Sequence, residues 1–390
     1  MNLIDKLNII TDNNSDDPNI ILFNDFRKSQ YENLEYFVNL CVDYISKQHN
    51  KYLNRVETTI NEEIKYEDIF GYLLDRVQVK IKDTTKPTGK KVFISFLVPR
   101  LIDNSFYYLN GSYYSPTIYI LDKPISIKKN SIKIYGLFNS ITIFTKDKRA
   151  IFAGHNIPIN YFLQLFIDDD DVNSEFLSPF GLTYSKVQDD VLYKYFSSKF
   201  HCDPELDAIK TKINNLFLDD YTKQLYASCY NINDPNISNI LLYSFNLNKQ
   251  EEKPSFVDLR HKRLVFMELI LRPVFKRCAD IALRASNGFL TDEIQSDSEE
   301  VIKFFTTKLK NKFLYDIVNL FSGITTHKVS FMNPGSDNAP GEIAALHDTH
   351  FGIIDPVNLS AQNPGETTCI VPGIKIHKMG LFLNNDGSVI

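Results

Sequence analysis

Phe106-Tyr107-Tyr108-Leu109-Asn110-Gly111-Ser112-Tyr113-Tyr114 decides the class of the fold. Asn and Gly tolerate two successive positive-φ positions, so Asn110-Gly111 between two β-prone runs predicts a two-residue hairpin. Toward the N-terminus, Val77, Val79 and Ile81 alternate with polar residues, and Val92, Ile94, Phe96 and Val98 recur at the same spacing of two in a β-prone run. Thr85-Lys86-Pro87-Thr88-Gly89 supplies a turn between these two runs, and strand texture continues to Ile143. Helical periodicity takes over at both ends. Leu34, Phe37, Val38, Cys41, Tyr44 and Ile45 form one stripe, predicting a helix from Tyr31 to His49 opened by a capping box at Ser29-Gln30-Tyr31-Glu32. Leu264, Met267, Leu271, Val274, Cys278 and Ile281 form another, predicting a long helix over Val257 to Ala285 with a kink at Pro273. Between them, residues 168 to 253 mix short helical patterns with acidic and Asn-rich loops. After Phe321 the text is loop-like.

At 390 residues the chain is long enough for two or three domains. No run of about 18 apolar residues predicts a membrane span, and Met1-Asn2-Leu3-Ile4-Asp5 lacks a signal-peptide layout. Cys41, Cys202, Cys229, Cys278 and Cys369 are scattered and odd in number, which argues for a reducing compartment and against a disulfide framework or zinc site. Net charge is −5, yet it is segregated. Eight Lys/Arg face three Asp/Glu between Lys253 and Arg284, and Lys82, Lys86, Lys90, Lys91, Lys123, Lys128, Lys129 and Lys133 crowd a second stretch. Such segregation is either a set of solvated faces or one wall of a basic channel. Asp168-Asp169-Asp170-Asp171 reads as a solvated acidic loop rather than a cation site.

Four separated patches resemble motifs of the β-type subunit of multisubunit DNA-directed RNA polymerases, in that family's order. Val98-Pro99 with Phe106 to Gly111 is similar to the protrusion motif in which Pro precedes Phe-Ile-Ile-Asn-Gly, although Ser112-Tyr113-Tyr114 replaces Thr-Glu-Arg. Gly154-His155-Asn156-Ile157-Pro158 followed by Phe162-Leu163-Gln164-Leu165-Phe166 is similar to the lobe run Arg-Arg-Lys-Leu-Pro and its apolar helix, without the basic residues. Asp258-Leu259-Arg260-His261-Lys262-Arg263-Leu264 resembles Asp-x-Asp-His-Leu-Gly-Asn-Arg-Arg. The longest patch runs from Leu314-Tyr315-Asp316 through Asn319, Phe321-Ser322 and Ile324-Thr325-Thr326-His327-Lys328 to Asn333-Pro334-Gly335. It continues in His347-Asp348-Thr349-His350-Phe351-Gly352 and Asp355-Pro356. It looks like the rifampicin-pocket and fork region, ending in His-Pro-Thr-His-Tyr-Gly and Cys-Pro. Phe313 stands where the family has Gln, Ile353 where it has Arg and Asp355 where it has Cys, and Thr-Pro-Glu-Gly is unrecognisable in Leu359-Ser360-Ala361-Gln362.

The resemblance implies an α+β architecture: protrusion over 1–125 and 255–312, an inserted lobe over 126–254, and a fork segment with an interface tail over 313–390. It implies an N-terminal half of β, of the split-subunit type encoded by giant tailed phages, working in the host bacterial cytoplasm. Partners implied are a C-terminal β-type subunit, β′-type subunits, a promoter-specificity factor, the DNA template and the RNA transcript, with no membrane. Arg260, Lys262, Arg263, His327, Lys328, His347 and His350 are the candidate nucleic-acid contacts, suited by type to phosphate oxygens. Phe313, Asp316, Asn319, Ser322 and His327 form a rifampicin-pocket-like set, in which Phe313 is expected to weaken the antibiotic's fit. His347 and His350 have the i, i+3 spacing of a metal pair, but with no Cys cluster and no Glu between them they read as hydrogen-bonded loop anchors. The three-carboxylate magnesium motif of the two-metal reaction is absent, so no metal or cofactor is expected on this chain and Mg²⁺ is expected on the β′-type partner. Asn384-Asn385-Asp386-Gly387 reads as a turn. Ile370, Val371, Ile374, Ile376, Met379, Leu381, Phe382 and Leu383 are dense for the end of a chain, so residues 369 to 390 are expected to be covered by a separate subunit. The rival reading is a phage structural or assembly protein whose aromatic hairpins build a shell. A neighbouring open reading frame carrying the rest of β separates the two.

Overall fold

The computed structural model describes residues 17–48, 53–67, 70–83, 91–102, 107–109, 112–116, 118–128, 130–248, 257–269 and 347–355, with shorter stretches at 271, 274–275, 297–298, 310–312, 328–331, 368–371, 373–384 and 386–390. The protein is mixed α+β, with helices and several separate sheets. It divides into two compact units, one made of 1–121 and 255–390 and the other of 122–254.

In the discontinuous unit, helices Phe23–Glu32 and Leu34–Gln48 meet at Asn33. The expected single helix starting at Tyr31 is corrected: Ser29 to Glu32 is the last turn of the first helix, and the Asn33 amide bonds back to Tyr31. The predicted stripe holds, because Leu34, Phe37, Val38, Cys41, Tyr44 and Ile45 are all buried. Each such side chain contributes roughly 1.5–3 kcal/mol on burial. Strands Phe70–Asp83 and Lys91–Pro99 pair antiparallel with Val77 opposite Phe96, Val79 opposite Ile94 and Ile81 opposite Val92, the alternation read from the sequence. On the other side of Phe70–Asp83 lies Leu53–Glu67, an edge strand whose charged sequence suits an edge. Buried Asp75 anchors this sheet to the first helix: it accepts from Arg100 at 2.6 and 2.9 Å and from the Tyr31 hydroxyl at 2.7 Å. Strands Tyr107–Leu109 and Ser112–Pro116 pair with Leu109 opposite Ser112, the register of a two-residue hairpin. Asn110 and Gly111 themselves lie outside the described residues.

The expected long helix from Val257 is overturned at its start. Leu259–His261 is a single 3₁₀ turn and Lys262–Val265 is a strand, with helical residues beginning only at Met267. That strand is buried at every position and lies in a four-stranded sheet ordered Lys262–Val265, Ile118–Asp122, Lys328–Ser330, Thr368–Cys369. The C-terminal segment is a second correction. Ile370, Ile376, Met379, Leu381, Phe382 and Leu383 are buried within this same chain. Strand Lys375–His377 pairs with Ile20–Leu22, and the Leu264 amide donates to the Gly380 carbonyl at 2.8 Å. Residues of this chain, strand Ile20–Leu22 and Lys262–Val265 among them, already pair with and cover much of that apolar density.

The 122–254 unit is a five-stranded antiparallel meander, Ile125–Lys128, Ser131–Tyr135, Ser140–Phe144, Arg149–Phe152 and His155–Pro158, each strand beside the next. His155–Pro158, the lobe-like run of the sequence, is an edge strand, entered through Ala153 and Gly154 at φ 47° and 78°. Ile132, Ile134, Ile141, Ile143, Phe152 and Ile157 line one face. Against them pack helices Ile159–Phe166, Asp170–Leu177, Asp189–Phe200, Leu206–Phe217, Asp220–Tyr230 and Ile237–Asn248, through buried Phe162, Phe176, Phe196, Phe217, Tyr226 and Phe245. Polar ties fix the layers: the Tyr226 hydroxyl donates to the Tyr135 carbonyl at 2.9 Å and the Ile125 amide to the Tyr230 hydroxyl at 2.8 Å. The acidic run has a structural use. Asp169 caps helix Asp170–Leu177 by accepting from the Asp171 and Val172 amides, and Lys186 and Lys210 pair with Asp170 and Asp168.

Candidate functional site

Three stretches far apart in sequence converge in the discontinuous unit: residues 257–261, 347–355 and 369–384. Asp258 is buried and caps the 3₁₀ turn Leu259–His261, its carboxylate accepting from the Arg260 amide at 3.0 Å and from the Arg260 guanidinium at 2.8 and 3.1 Å. Burial pushes the Asp258 carboxyl up, but the hydrogen bonds and charge of Arg260 outweigh it and hold the group below its usual range. Opposite, His347 opens a second 3₁₀ turn, Asp348–His350, by a capping box in which the His347 imidazole accepts from backbone amides of the turn and the His350 imidazole accepts from the His347 amide.

The two turns are stitched together. The Leu259 amide donates to the Thr349 hydroxyl at 3.0 Å, which leaves that hydroxyl to donate to His347 Nδ1 at 2.9 Å. His350 Nε2 donates to the Val257 carbonyl at 2.8 Å, and its Nδ1 accepts from the His347 amide at 3.4 Å. These partners assign the tautomers, with Nε2–H on both rings. Burial of His350 pushes its pKa down, against the pull of the Val257 carbonyl, so the ring is neutral. The two histidines are hydrogen-bonded loop anchors. His347 Nε2 stands 3.9 Å from the Asp258 carboxylate, beyond the reach of the hydrogen bond that orients a catalytic imidazole, so Thr349, His347 and Asp258 are not a nucleophilic triad. Among the described residues no group of three or more His, Cys, Asp or Glu stands ready to hold a metal ion.

Beyond the turn, the Asp355 amide donates to the Cys369 carbonyl and the Val371 amide to the Ile353 carbonyl, both at 2.8 Å, laying residues 353–355 beside the C-terminal segment. Together they bound an open cleft of about 560 Å³, whose lining includes the polar Arg260, His347, Thr349 and Asn384 and the apolar Ile374 and Leu383. Phe351, 83% exposed, stands at its edge.

The structure sorts the candidate nucleic-acid contacts. Arg260 and His347 reach the cleft. Lys262 and Arg263 do not share that surface. Both are buried, in a strand whose every position is buried although it lies at the edge of its sheet, and Arg263 forms a two-pronged pair with Glu268 at 2.5 and 2.6 Å. The expected basic cluster opening a helix therefore reduces to Arg260, itself paired with Asp258. Lys328 is a strand residue opposite Cys369, and its side chain lies outside the described residues, as do Phe313, Asp316, Asn319, Ser322 and His327. Sequence reading missed Ile374, Leu383 and Asn384 as cleft residues, because only the pairing of residues 375–377 with 20–22 brings that segment here. No helix among the described residues is long and apolar enough to cross a membrane. Compared with known proteins, the chain matches no family model and no curated sequence.

Proposed function

We propose that this chain is the N-terminal half of a split β-type subunit of a multisubunit DNA-directed RNA polymerase of the kind encoded by giant tailed phages, forming part of the DNA cleft and of the wall beside the RNA–DNA hybrid. The observation that carries the reading is order: four stretches similar to β-subunit motifs run from residue 98 to residue 356 in the family's sequence. Two features of the fold support it. A unit of 122–254 interrupts a larger one, as a lobe set within a protrusion would. The stretches at 258–264 and 347–355, 90 residues apart, are joined by the Leu259–Thr349 and Val257–His350 bonds, which gives both motifs one structural job.

On this reading the chain positions nucleic acid and binds no catalytic metal. Chemistry belongs to a β′-type partner whose three carboxylates hold Mg²⁺ for the two-metal displacement. The partners are that subunit, a C-terminal β-type subunit and a promoter-specificity factor, in the host bacterial cytoplasm. The test is to isolate the native complex through this chain and identify what accompanies it. Co-purification with a chain bearing the three-carboxylate motif, together with templated, Mg²⁺-dependent nucleotide incorporation, is the expected result. Recovery with capsid or assembly components instead overturns it.

A further inference from the structure

The meander of the 122–254 unit has a second face, and it is built of different residues. Along Ser131–Tyr135 and Ser140–Phe144, burial alternates: Ile132, Ile134, Ile141 and Ile143 are fully buried, while Lys133, Tyr135, Thr142 and Phe144 point the other way and keep part of their surface exposed. Register sets them side by side, with Lys133 opposite Thr142, Thr142 opposite Ile151, and Phe144 opposite Arg149. Each ring has a cation over it. Lys133 Nζ lies 4.4 Å from the centre of the Tyr135 ring, and the Arg149 guanidinium lies 5.6 Å from that of Phe144. Lys146 and Lys148 stand exposed in the turn beside them, and Lys128 stands exposed on the neighbouring strand. The carboxylates nearby are Asp147, paired with Arg149 at 3.2 Å, and Asp122, which accepts from Ser126 at 3.3 Å. The imbalance is local: residues 123–149 hold seven Lys/Arg and one Asp, whereas residues 168–207, in the helical layer, hold ten Asp/Glu and three Lys.

We propose that this sheet face binds single-stranded nucleic acid. Cations spaced across a pleated surface suit a phosphate backbone, and rings on the same surface suit unpaired bases, whose π-faces stack on any aromatic without regard to sequence. A duplex hides its base faces and uses only the cations. An acidic peptide or an anionic lipid surface likewise leaves Tyr135 and Phe144 idle. Five strands about 4.8 Å apart span roughly 19 Å, room for a site at the short end of the ~4–16 nucleotides such sheets cover. None of these residues belongs to the cleft at Arg260 and His347, so the proposal does not rest on the polymerase reading.

The experiment is fluorescence anisotropy of the whole chain with a labelled oligothymidylate of about 20 nucleotides across a salt series. The double substitution Tyr135→Leu with Phe144→Leu keeps apolar bulk but removes both π-faces; it should weaken binding about a hundredfold while leaving the salt slope unchanged. Lys133→Gln, Lys148→Gln and Arg149→Gln together should lower the slope by about 2, at ~0.7 per phosphate contact. Thermal melting of each variant separates lost binding from lost folding, and single substitutions at Phe144 and Lys148 serve if a multiple variant does not fold. Unchanged affinity in folded ring variants overturns the proposal, as does equal affinity for blunt duplex, heparin or phosphatidylserine vesicles. Failure to find polymerase partners leaves it standing.

Discussion

At the scale of single residues, the basic run at 260–263 holds side chains with two distinct surroundings. Arg260 stays half in solvent beside Asp258, whereas Arg263 is buried against Glu268 with side-chain exposures of 7% and 15%. Removing one partner of a buried pair leaves a desolvated charge, so Arg263→Ala should cost about 3–5 kcal/mol in urea unfolding. The same change at Arg260 should cost far less. Sequence alone could not divide them, because neighbouring Lys and Arg on a presumed helix start all read as solvated. A pH effect resides in His350 and His377, both pushed below the ordinary 6.5, first of all by burial. Below that value the unfolded chain takes up protons that the folded chain refuses. Their contribution to stability is therefore complete above about pH 6.5 and is lost as pH falls through the depressed folded values. The melting temperature should drop steeply between about pH 7 and pH 5, and the drop should be shallower in a double His350→Gln, His377→Gln variant. Asp258 faces His350 and favours its charged form, so it moderates the effect without reversing it.

Among elements, the strand Lys262–Val265 depends on one glycine. Gly380 sits at φ +85°, and a Cβ there would lie 2.1 Å from the Leu264 carbonyl oxygen. The hydrogen bond from Leu264 to Gly380 needs that approach, so Gly380→Ala should cost at least about 3 kcal/mol, combining a clash with a left-handed backbone. Urea denaturation measures it. Hydrogen exchange of the lone chain should show residues 375–383 protected, since their cover is strand Ile20–Leu22 and Lys262–Val265; free exchange there would mean that a partner is needed after all. Legibility varied by element for physical reasons. The strand at 70–83 and the helix at 34–48 were readable because each keeps a wetter face, and alternation or a stripe survives in the sequence. Lys262–Val265 is buried on both faces, and its run Leu264-Val265-Phe266-Met267 carries no period to distinguish strand from helix. Leu53–Glu67 escaped notice for the opposite reason, being too charged to alternate. Lys133, Tyr135, Phe144 and Arg149 were visible as individual residues, but only the strand register shows that they share a face.

For the whole molecule, the expectation that follows from the proposed function is that the purified chain incorporates no nucleotide by itself and does so only with its partners, a result read by primer-independent transcription on a denatured template. Incorporation by the lone chain would sink that reading, while leaving the sheet face to be judged on its own binding data. The discontinuous unit has a consequence for biosynthesis. Strand Ile20–Leu22 leaves the ribosome early, but the strand that completes it, Lys375–His377, is made some 350 residues later. At about 5–20 residues per second, that is an interval on the order of 20–70 s. The 122–254 unit is contiguous and has its own core, so it can close while translation proceeds. The larger unit cannot. Its first helix, whose Phe23 amide donates to the Ile374 carbonyl at 2.9 Å, must wait through that interval for the segment that completes its surroundings, so the nascent chain is expected to engage holding chaperones until residues 374–377 are synthesised.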